Sequence, residues 1–438
     1  MNLEAAPIVG EGWAQRATLT LSIILGIFIS CVSFVAISKL YVVYQIEYDP
    51  AALSTAVIAV AIFAPVFLLF LFADFSFGYF VGFYFAIVAA GYLWFSFFSL
   101  RSYDVETARI SIVASTVVFL LPALFISSAL PRAGGLSVVL FDRLLLGIFL
   151  LGVAAFVLGA AYSFKFVTPD QASNMRTGAL PPIVKYIVGI TSSSLLPFLF
   201  ACLVSRKAFW QAGAVLMLML CFYPVEVSKT TFFAPFWLVM MAVLSRALGA
   251  RIAVVLSLLL PTFVGVLLFW LIDGNGLLSR MASIYFLNVN FRMGAVPSLA
   301  IDLYNEFFSK HELTHFCQIG ILKRFFDCPY QQQLSVVMFN YFPAGGAYNA
   351  SLFATEGIAS VGWLYAPVAA FLCGLVIALG NRASAGLPPS LVLVSGAVLT
   401  QILLNVPLST VLLSHGAAFL FLLWYMTPRE GLQQPVKG

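Results

Sequence analysis

The chain has 438 residues, of which 62% are hydrophobic and 9% charged. Soluble domains carry about 25% charged residues, so a mean hydropathy of +1.04 excludes an ordinary soluble enzyme, a disordered chain and a nucleic-acid binder. The net charge of +5 forms no basic patch suited to nucleic acid. A membrane β-barrel would alternate polar and apolar residues over about 10 positions. Here the apolar runs are continuous and about twice that long. The composition predicts an all-α polytopic integral membrane protein.

The first apolar run, Thr18 to Ser38, is entered through Arg16. It is too long for the apolar core of a cleavable signal and long enough to cross a bilayer, so it reads as a retained first helix. Further runs follow at 52–73, 77–99, 109–130, 139–161, 183–204, 208–223, 232–247 and 252–272, then at 361–380, 389–407 and 410–427. This predicts about twelve transmembrane helices, with 208–223 and 232–247 short enough to tilt or re-enter. Pro65, Pro122, Pro197, Pro235, Pro261, Pro367 and Pro407 fall in or near these runs and predict kinks. Basic residues modestly favour one set of connections, with Arg16, Arg132, Arg143, Arg206, Lys207, Arg246, Arg251, Arg382, Arg429 and Lys437 against Lys39, Arg101, Arg109, Lys165, Arg176, Lys185 and Lys229 on the other side. The positive-inside rule then places both termini in the cytoplasm of a bacterial inner membrane.

Three regions result: helices 1–9 in 1–272, a large extracytoplasmic loop in 273–360, and helices 10–12 with a short tail in 361–438. The loop contains amphipathic segments. Leu277 to Arg292 mixes Met281, Ile284, Tyr285, Leu287 and Phe291 with Arg280, Asn288 and Arg292, the pattern of a helix lying in the interface. Gly294 is placed to end it and Pro297 to open a second helix over 297–310.

Of six cysteines, Cys31, Cys202, Cys221 and Cys373 lie in apolar runs and read as small buried fillers. Cys317 and Cys328 lie in the loop. In an oxidising compartment they read as a local disulfide, and otherwise as two thiols. Lys229, after Glu226 at the edge of the eighth run, is either an interfacial lysine paired with Glu226 or a phosphate-binding cation at a helix start. Arg280 and Arg292 anchor headgroups or clamp a pyrophosphate; arginine's planar donor fork suits phosphate oxygens. On one continuous α-helix they stand about 120° apart. Lys323 and Arg324 read as solvated charges or as attractors of an anionic glycan. Asp302, Glu306, His315 and Glu356 are the candidate bases. Glu356 stands among small and apolar residues just before a membrane helix, as a proton acceptor or as the structural partner of a loop arginine. His415 fits a helix–helix hydrogen bond. No Walker, GxGxxG or GxSxG motif occurs, so the reaction must use an activated substrate or a gradient. No metal and no cofactor are expected.

The stretch from Phe339 through Asn349 and Glu356 to Gly362 and Tyr365 resembles the end of the large periplasmic loop of O-antigen and exopolysaccharide polymerases of the Wzy type. The resemblance covers about forty residues and the overall layout. It implies a GT-C-like membrane glycosyltransferase that needs neither metal nor nucleotide. Its substrate would be an undecaprenyl-pyrophosphate-linked oligosaccharide in the membrane lipids, with a chain-length regulator and a flippase as partners. The growing glycan would pass from its lipid to the non-reducing end of a new repeat unit. Arg280, Arg292 and Lys229, with Arg176 from the 162–182 loop, would hold the pyrophosphate; Glu356 or His315 would serve as base. The alternatives are a transporter or flippase of lipid-linked glycan, a ligase using the same donor, and a scaffold of an export complex. The two halves show no internal repeat of the kind many transporters have.

Overall fold

The computed structural model describes residues 13–131, 136–168, 180–272, 276–319, 322, 325, 327–342 and 350–429. Its regular structure is helical. Among the described residues, nine long helices precede the large loop: α1 Trp13–Leu40, α2 Leu53–Phe72, α3 Phe77–Phe95, α4 Val105–Phe125, α5 Val138–Tyr162, α6 Pro182–Ser205, α7 Phe209–Glu226, α8 Lys229–Leu248 and α9 Ala250–Leu271. The loop carries α10 Leu277–Phe286, a π-helical turn Leu287–Ala295, α11 Val296–Phe308 and α12 Leu334–Tyr341. Then come α13 Phe353–Ser384, α14 Pro389–Leu403, α15 Leu408–Ser414 and α16 Ala417–Met426.

Among the described residues, ten helices, α1 to α9 and α13, are long and apolar enough to cross a membrane. The last two of the twelve predicted spans are modified. The run at 389–407 forms a helix of 15 residues, below the usual length for spanning a bilayer. The run at 410–427 is broken into α15 and α16, bent by 62°. The break falls where Gly416 takes a φ of +79°, a left-handed conformation that favours glycine.

Helix α3 is the centre of the bundle. Every residue from Phe77 to Phe95 is buried. Its start is capped by Ser76, whose hydroxyl accepts from the Tyr79 N–H at 3.0 Å, satisfying one of the orphan donors of a helix start. Gly78 lets α3 lie against the Ala123 carbonyl of α4, where a Cβ would overlap that oxygen. Asn381 of α13 stitches the same junction. It accepts from the Gly78 N–H at 2.6 Å and donates to the carbonyls of Ala123 at 2.8 Å and Ile126 at 3.2 Å. Lipid solvates apolar side chains as well as a core does, so such close packing and internal hydrogen bonding hold membrane helices together.

One end of the bundle gathers arginines onto the last carbonyls of helices. Arg251 donates to Leu71 of α2 at 3.0 Å, Arg246 to Val204 of α6 at 2.7 Å, and Arg429 to Ala383 at 3.1 Å and Trp424 at 3.0 Å. These carbonyls have no partner within their own helices, and cations suit the negative end of the helix dipole. The basic bias read from the sequence is thus also a set of helix C-caps.

The opposite end carries the loop. Helix α10 packs along α9, its Phe286 ring 4.8 Å from that of Phe269, and the helical winding runs on through the π turn into α11. In the π turn Asn290 donates to the Ser33 hydroxyl of α1 at 3.0 Å and the Thr262 carbonyl of α9 at 2.9 Å. Ser298 donates to the Val88 carbonyl of α3 at 2.8 Å. Those partners stand seven to nine residues inside their helix ends, about 10–14 Å at 1.5 Å per residue. Gly294 does not stop the helix: the chain winds on through the π turn to Ala295.

Candidate functional site

Helix α11 leads from the π turn to a buried charge cluster. Arg101, in the α3–α4 connection, pairs with Asp302 at 3.1 Å and Glu306 at 2.9 Å, and Lys310 pairs with Glu306 at 3.2 Å. The Ser99 hydroxyl donates to Asp302 at 2.7 Å, as does Tyr103 to its other oxygen. The Arg101 guanidinium also lies 4.6 Å from the centre of the Phe342 ring. Burial pushes the Asp302 carboxyl up, outweighing the lowering by its hydroxyl donors and Arg101. Burial also works to raise Glu306, but its bonds to Arg101 and Lys310 outweigh it and hold that carboxyl below the usual range. Both acids were candidate bases in the sequence. In the structure they fasten α11 to the α3–α4 connection.

Glu356 sits in a second π-helical segment, Phe353–Ala359, just before Gly362 breaks the helix with a φ of +73°. It is 5% exposed. One oxygen, Oε1, accepts from the Ser409 N–H at 2.9 Å and the Ser409 hydroxyl at 2.8 Å. The other, Oε2, is buried and takes no hydrogen bond from a described residue. No described arginine pairs with it, so the structural alternative weighed in the sequence takes a different form: Glu356 caps the start of α15. The loop clamps this segment from above. The N–H groups of Thr314 and His315 donate to the carbonyls of Ala359 at 2.8 Å and Ser360 at 3.1 Å. His315 itself is exposed, with a φ of +46°. Cys317 and Cys328 are joined in a disulfide with Cα atoms 5.4 Å apart.

The candidate cations lie elsewhere. Lys229, which opens α8, donates to the Asn288 carboxamide at 3.0 Å. It does not pair with Glu226 in an ion pair, which instead accepts from Ser192 at 2.9 Å and from Thr231. Arg292 lies one turn beyond Asn288 and Arg280 two turns before it. Both arginines are exposed, and neither forms an ion pair or hydrogen bond with a described residue. The i→i+5 winding of the π turn rotates each residue by less than the α-helical 100°. It therefore narrows the 120° separation that a continuous α-helix would give these two arginines. Glu356 lies at the other end of α11, beside Tyr304, whose hydroxyl bonds to the Thr355 side chain and the Ala350 backbone. Arg292 and Tyr304 are separated by about 18 Å of helix rise. Arg176, Lys323, Arg324 and residues 343–349, including Asn349, lie outside the described residues.

Among the described residues, a narrow cleft with room for little more than one water molecule lies beneath the π turn, between Ser33, Tyr84, Thr262, Asn290 and Leu404. Another small one lies between Ser192, Ser193, Thr230 and Thr231. Neither is lined by Arg292 or Glu356. His415, at the α15–α16 break, faces the Ser193 hydroxyl at 3.4 Å, and its carbonyl accepts from Ser194 at 2.5 Å.

The expectation of no metal site overlooked one pattern. His311-Glu312-Leu313-Thr314-His315 has the H-E-x-x-H spacing that binds zinc when a helix sets both histidines on one face. Here α11 ends at Phe308, His315 is left-handed, and the His311 ring stacks on Phe307 at 4.0 Å. The segment is not a helix, and no group of three metal-ligating side chains converges among the described residues. Also unread in the sequence was Arg101, because nothing in its neighbourhood names partners some 200 residues away. Compared with known proteins, the chain matches no family model, no curated protein and no solved structure.

Proposed function

We propose that this protein is a membrane glycosyltransferase that polymerises lipid-linked oligosaccharide, with the loop end of the bundle facing the periplasm. The reading takes its substrate, undecaprenyl-pyrophosphate-linked glycan, from the resemblance around Glu356. The observation that carries it is the pairing of two features along the stretch from α10 to α11: exposed arginines with no ion pair or hydrogen bond to a described residue towards its start, and beside Tyr304 near its end a buried carboxylate with one oxygen that takes no hydrogen bond from a described residue. In the reaction, the acceptor hydroxyl gives its proton to Glu356 Oε2 and forms a bond to the anomeric carbon. The bond from that carbon to the pyrophosphate breaks, and Arg280, Arg292 and Lys229 stabilise the departing charge. An in-line array of guanidinium, pyrophosphate, anomeric carbon, acceptor oxygen and carboxylate has contacts of about 3 Å at each step. It spans on the order of 15 Å, in keeping with the length of α11 between the two ends.

A second reading, transport of lipid-linked glycan, is favoured by one feature. The α15–α16 pair is broken inside the bundle and docks on a π-helical turn of α6, Thr191–Leu195, and broken helices are the usual building material of transporter sites. The deciding experiment is mass spectrometry of lipid-linked oligosaccharides, with leaflet assignment, in a strain lacking the protein. Single repeat units on the periplasmic leaflet, with long polymer lost, are expected. Units trapped on the cytoplasmic leaflet would refute the polymerase and establish the flippase. Polymer made but left unattached to its final acceptor would make the protein a ligase.

A further inference from the structure

A separate polar site lies where α6, α7 and α8 meet. Glu226 ends α7 and is largely enclosed. Each of its oxygens accepts from one hydroxyl: Oε1 from Ser192 at 2.9 Å, Oε2 from Thr231. Ser192, Ser193, Thr230 and Thr231 also line the adjoining small cleft, which has room for about one water or ion. The serines belong to the π turn Thr191–Leu195. In that turn the Thr191 hydroxyl is buried, at 1% exposure of the residue, and has no hydrogen-bond partner among the described residues. Between Glu226 and α8, Val227 is held at a φ of +47°, a conformation that a β-branched residue takes only under constraint. That bend turns Glu226 inward while Lys229 reaches away to Asn288.

The charge balance of this pocket is incomplete. No described basic side chain lies within ion-pairing distance of Glu226. Each carboxyl oxygen meets one hydroxyl and no cation, so its ionised form has no counter-charge among the described side chains. An ionised carboxylate in an enclosed site needs a compensating charge. The donors present are one carboxylate and several hydroxyls, each hydroxyl keeping lone pairs after its proton is given to Glu226. An all-oxygen set of this kind suits a hard cation, and a single negative charge matches a monovalent one.

We propose that Glu226, Ser192 and Thr231, with Ser193 and Thr230, form a sodium-binding site that locks α6 to the α7–α8 turn. The inference is independent of the polymerase reading. The test uses the full-length protein purified in detergent, titrated with NaCl against choline chloride at constant ionic strength. Tm is followed by tryptophan fluorescence at several pH values. The site requires a saturable Tm rise of a few degrees with Na⁺ that choline does not give. Glu226→Gln abolishes the rise, and Ser192→Ala or Thr231→Ala moves its midpoint to about tenfold higher Na⁺. If Glu226→Gln does not fold, the two hydroxyl variants, which keep the carboxylate, decide the matter. Equal Tm in Na⁺ and choline overturns the proposal, as does a Na⁺ response that survives loss of the hydroxyls. A Tm that follows pH through Glu226 but ignores Na⁺ overturns it too, and assigns the site to a proton.

Discussion

Replacing Arg101 with alanine tests the reasoning about buried charge most directly. The Arg101 side chain is 4% exposed, and its partners Asp302 and Glu306 are 2% and 13% exposed. Removing one member of a buried pair costs about 3–5 kcal/mol, because the surviving charge is left uncompensated. Two features reduce that figure here: Asp302 keeps the hydroxyl donors Ser99 and Tyr103, and Glu306 keeps Lys310. Loss of the contact with the Phe342 ring adds roughly 0.5–1 kcal/mol. The expected loss near pH 7 is about 3 kcal/mol, measured by reversible denaturant unfolding in mixed micelles.

The pH dependence gives the sharper check. Burial raises Asp302, so its contribution is full below the ordinary aspartate range and lost as pH rises through the raised value. Glu306 is lowered, so its contribution is present above the ordinary glutamate range and lost as pH falls. Without the guanidinium, Asp302 rises further and Glu306 is held down less. Both changes favour the variant relative to wild type as the medium becomes acidic. The deficit of Arg101→Ala therefore shrinks between pH 7 and pH 5, and Arg101→Ala/Asp302→Asn regains much of the loss at pH 7. A deficit below 1 kcal/mol, or one equal at both pH values, would refute the account.

Gly78→Ala places a methyl group against the Ala123 carbonyl and is expected to cost at least 1–3 kcal/mol, seen as a fall in Tm and in folded yield. Cys317→Ser opens the disulfide and costs about 2–3 kcal/mol; in wild type, maleimide mass-tagging of the denatured chain should gain two labels on reduction, and no gain would disprove the bond. Arg280→Ala and Arg292→Ala leave stability unchanged, since neither side chain bonds to a described residue. Under the proposed function each lowers polymer synthesis roughly 10- to 100-fold, the value of a charge-assisted hydrogen bond of about 1.5–3 kcal/mol; unchanged polymer output would remove them from the site.

The apolar runs were legible because a bilayer demands long apolar helices, and every predicted span from 18–38 to 410–427 has a helix in it. The packing of the segment after α10 was not legible. Nothing in the pattern of Asn290 or Ser298 names their partners Ser33 of α1, Thr262 of α9 and Val88 of α3, all more than 20 residues away in the chain. The i→i+5 turns have no residue signature either, so the rotation they impose on Arg292 and Glu356 was invisible. Pairing Lys229 with Glu226 failed for a local reason. A spacing of three joins side chains only on a continuous helix, and the left-handed Val227 interrupts it. The H-E-x-x-H spacing fails in the same way, because the helix that would align it stops at Phe308.

Helix α15 brings the structural and chemical readings of Glu356 onto one side chain. Its seven residues are far too few to be stable alone, so both ends are held from outside. Glu356 Oε1 occupies the start, where a negative charge suits the helix dipole. Ser194 bonds to the His415 carbonyl just past the end. The cap uses one carboxylate oxygen and leaves Oε2 for a proton. Glu356→Gln can keep the first role, since its amide oxygen still accepts from Ser409, but it presents an NH₂ group in place of the base. Glu356→Ala loses both, leaving the Ser409 N–H without its acceptor at about 1–3 kcal/mol. Under the proposed chemistry Glu356→Gln folds with nearly wild-type Tm yet makes no long polymer, whereas Glu356→Ala loses stability as well. Wild-type polymer from the glutamine variant would leave Glu356 a helix cap and nothing more, and the base would have to be sought elsewhere in the loop.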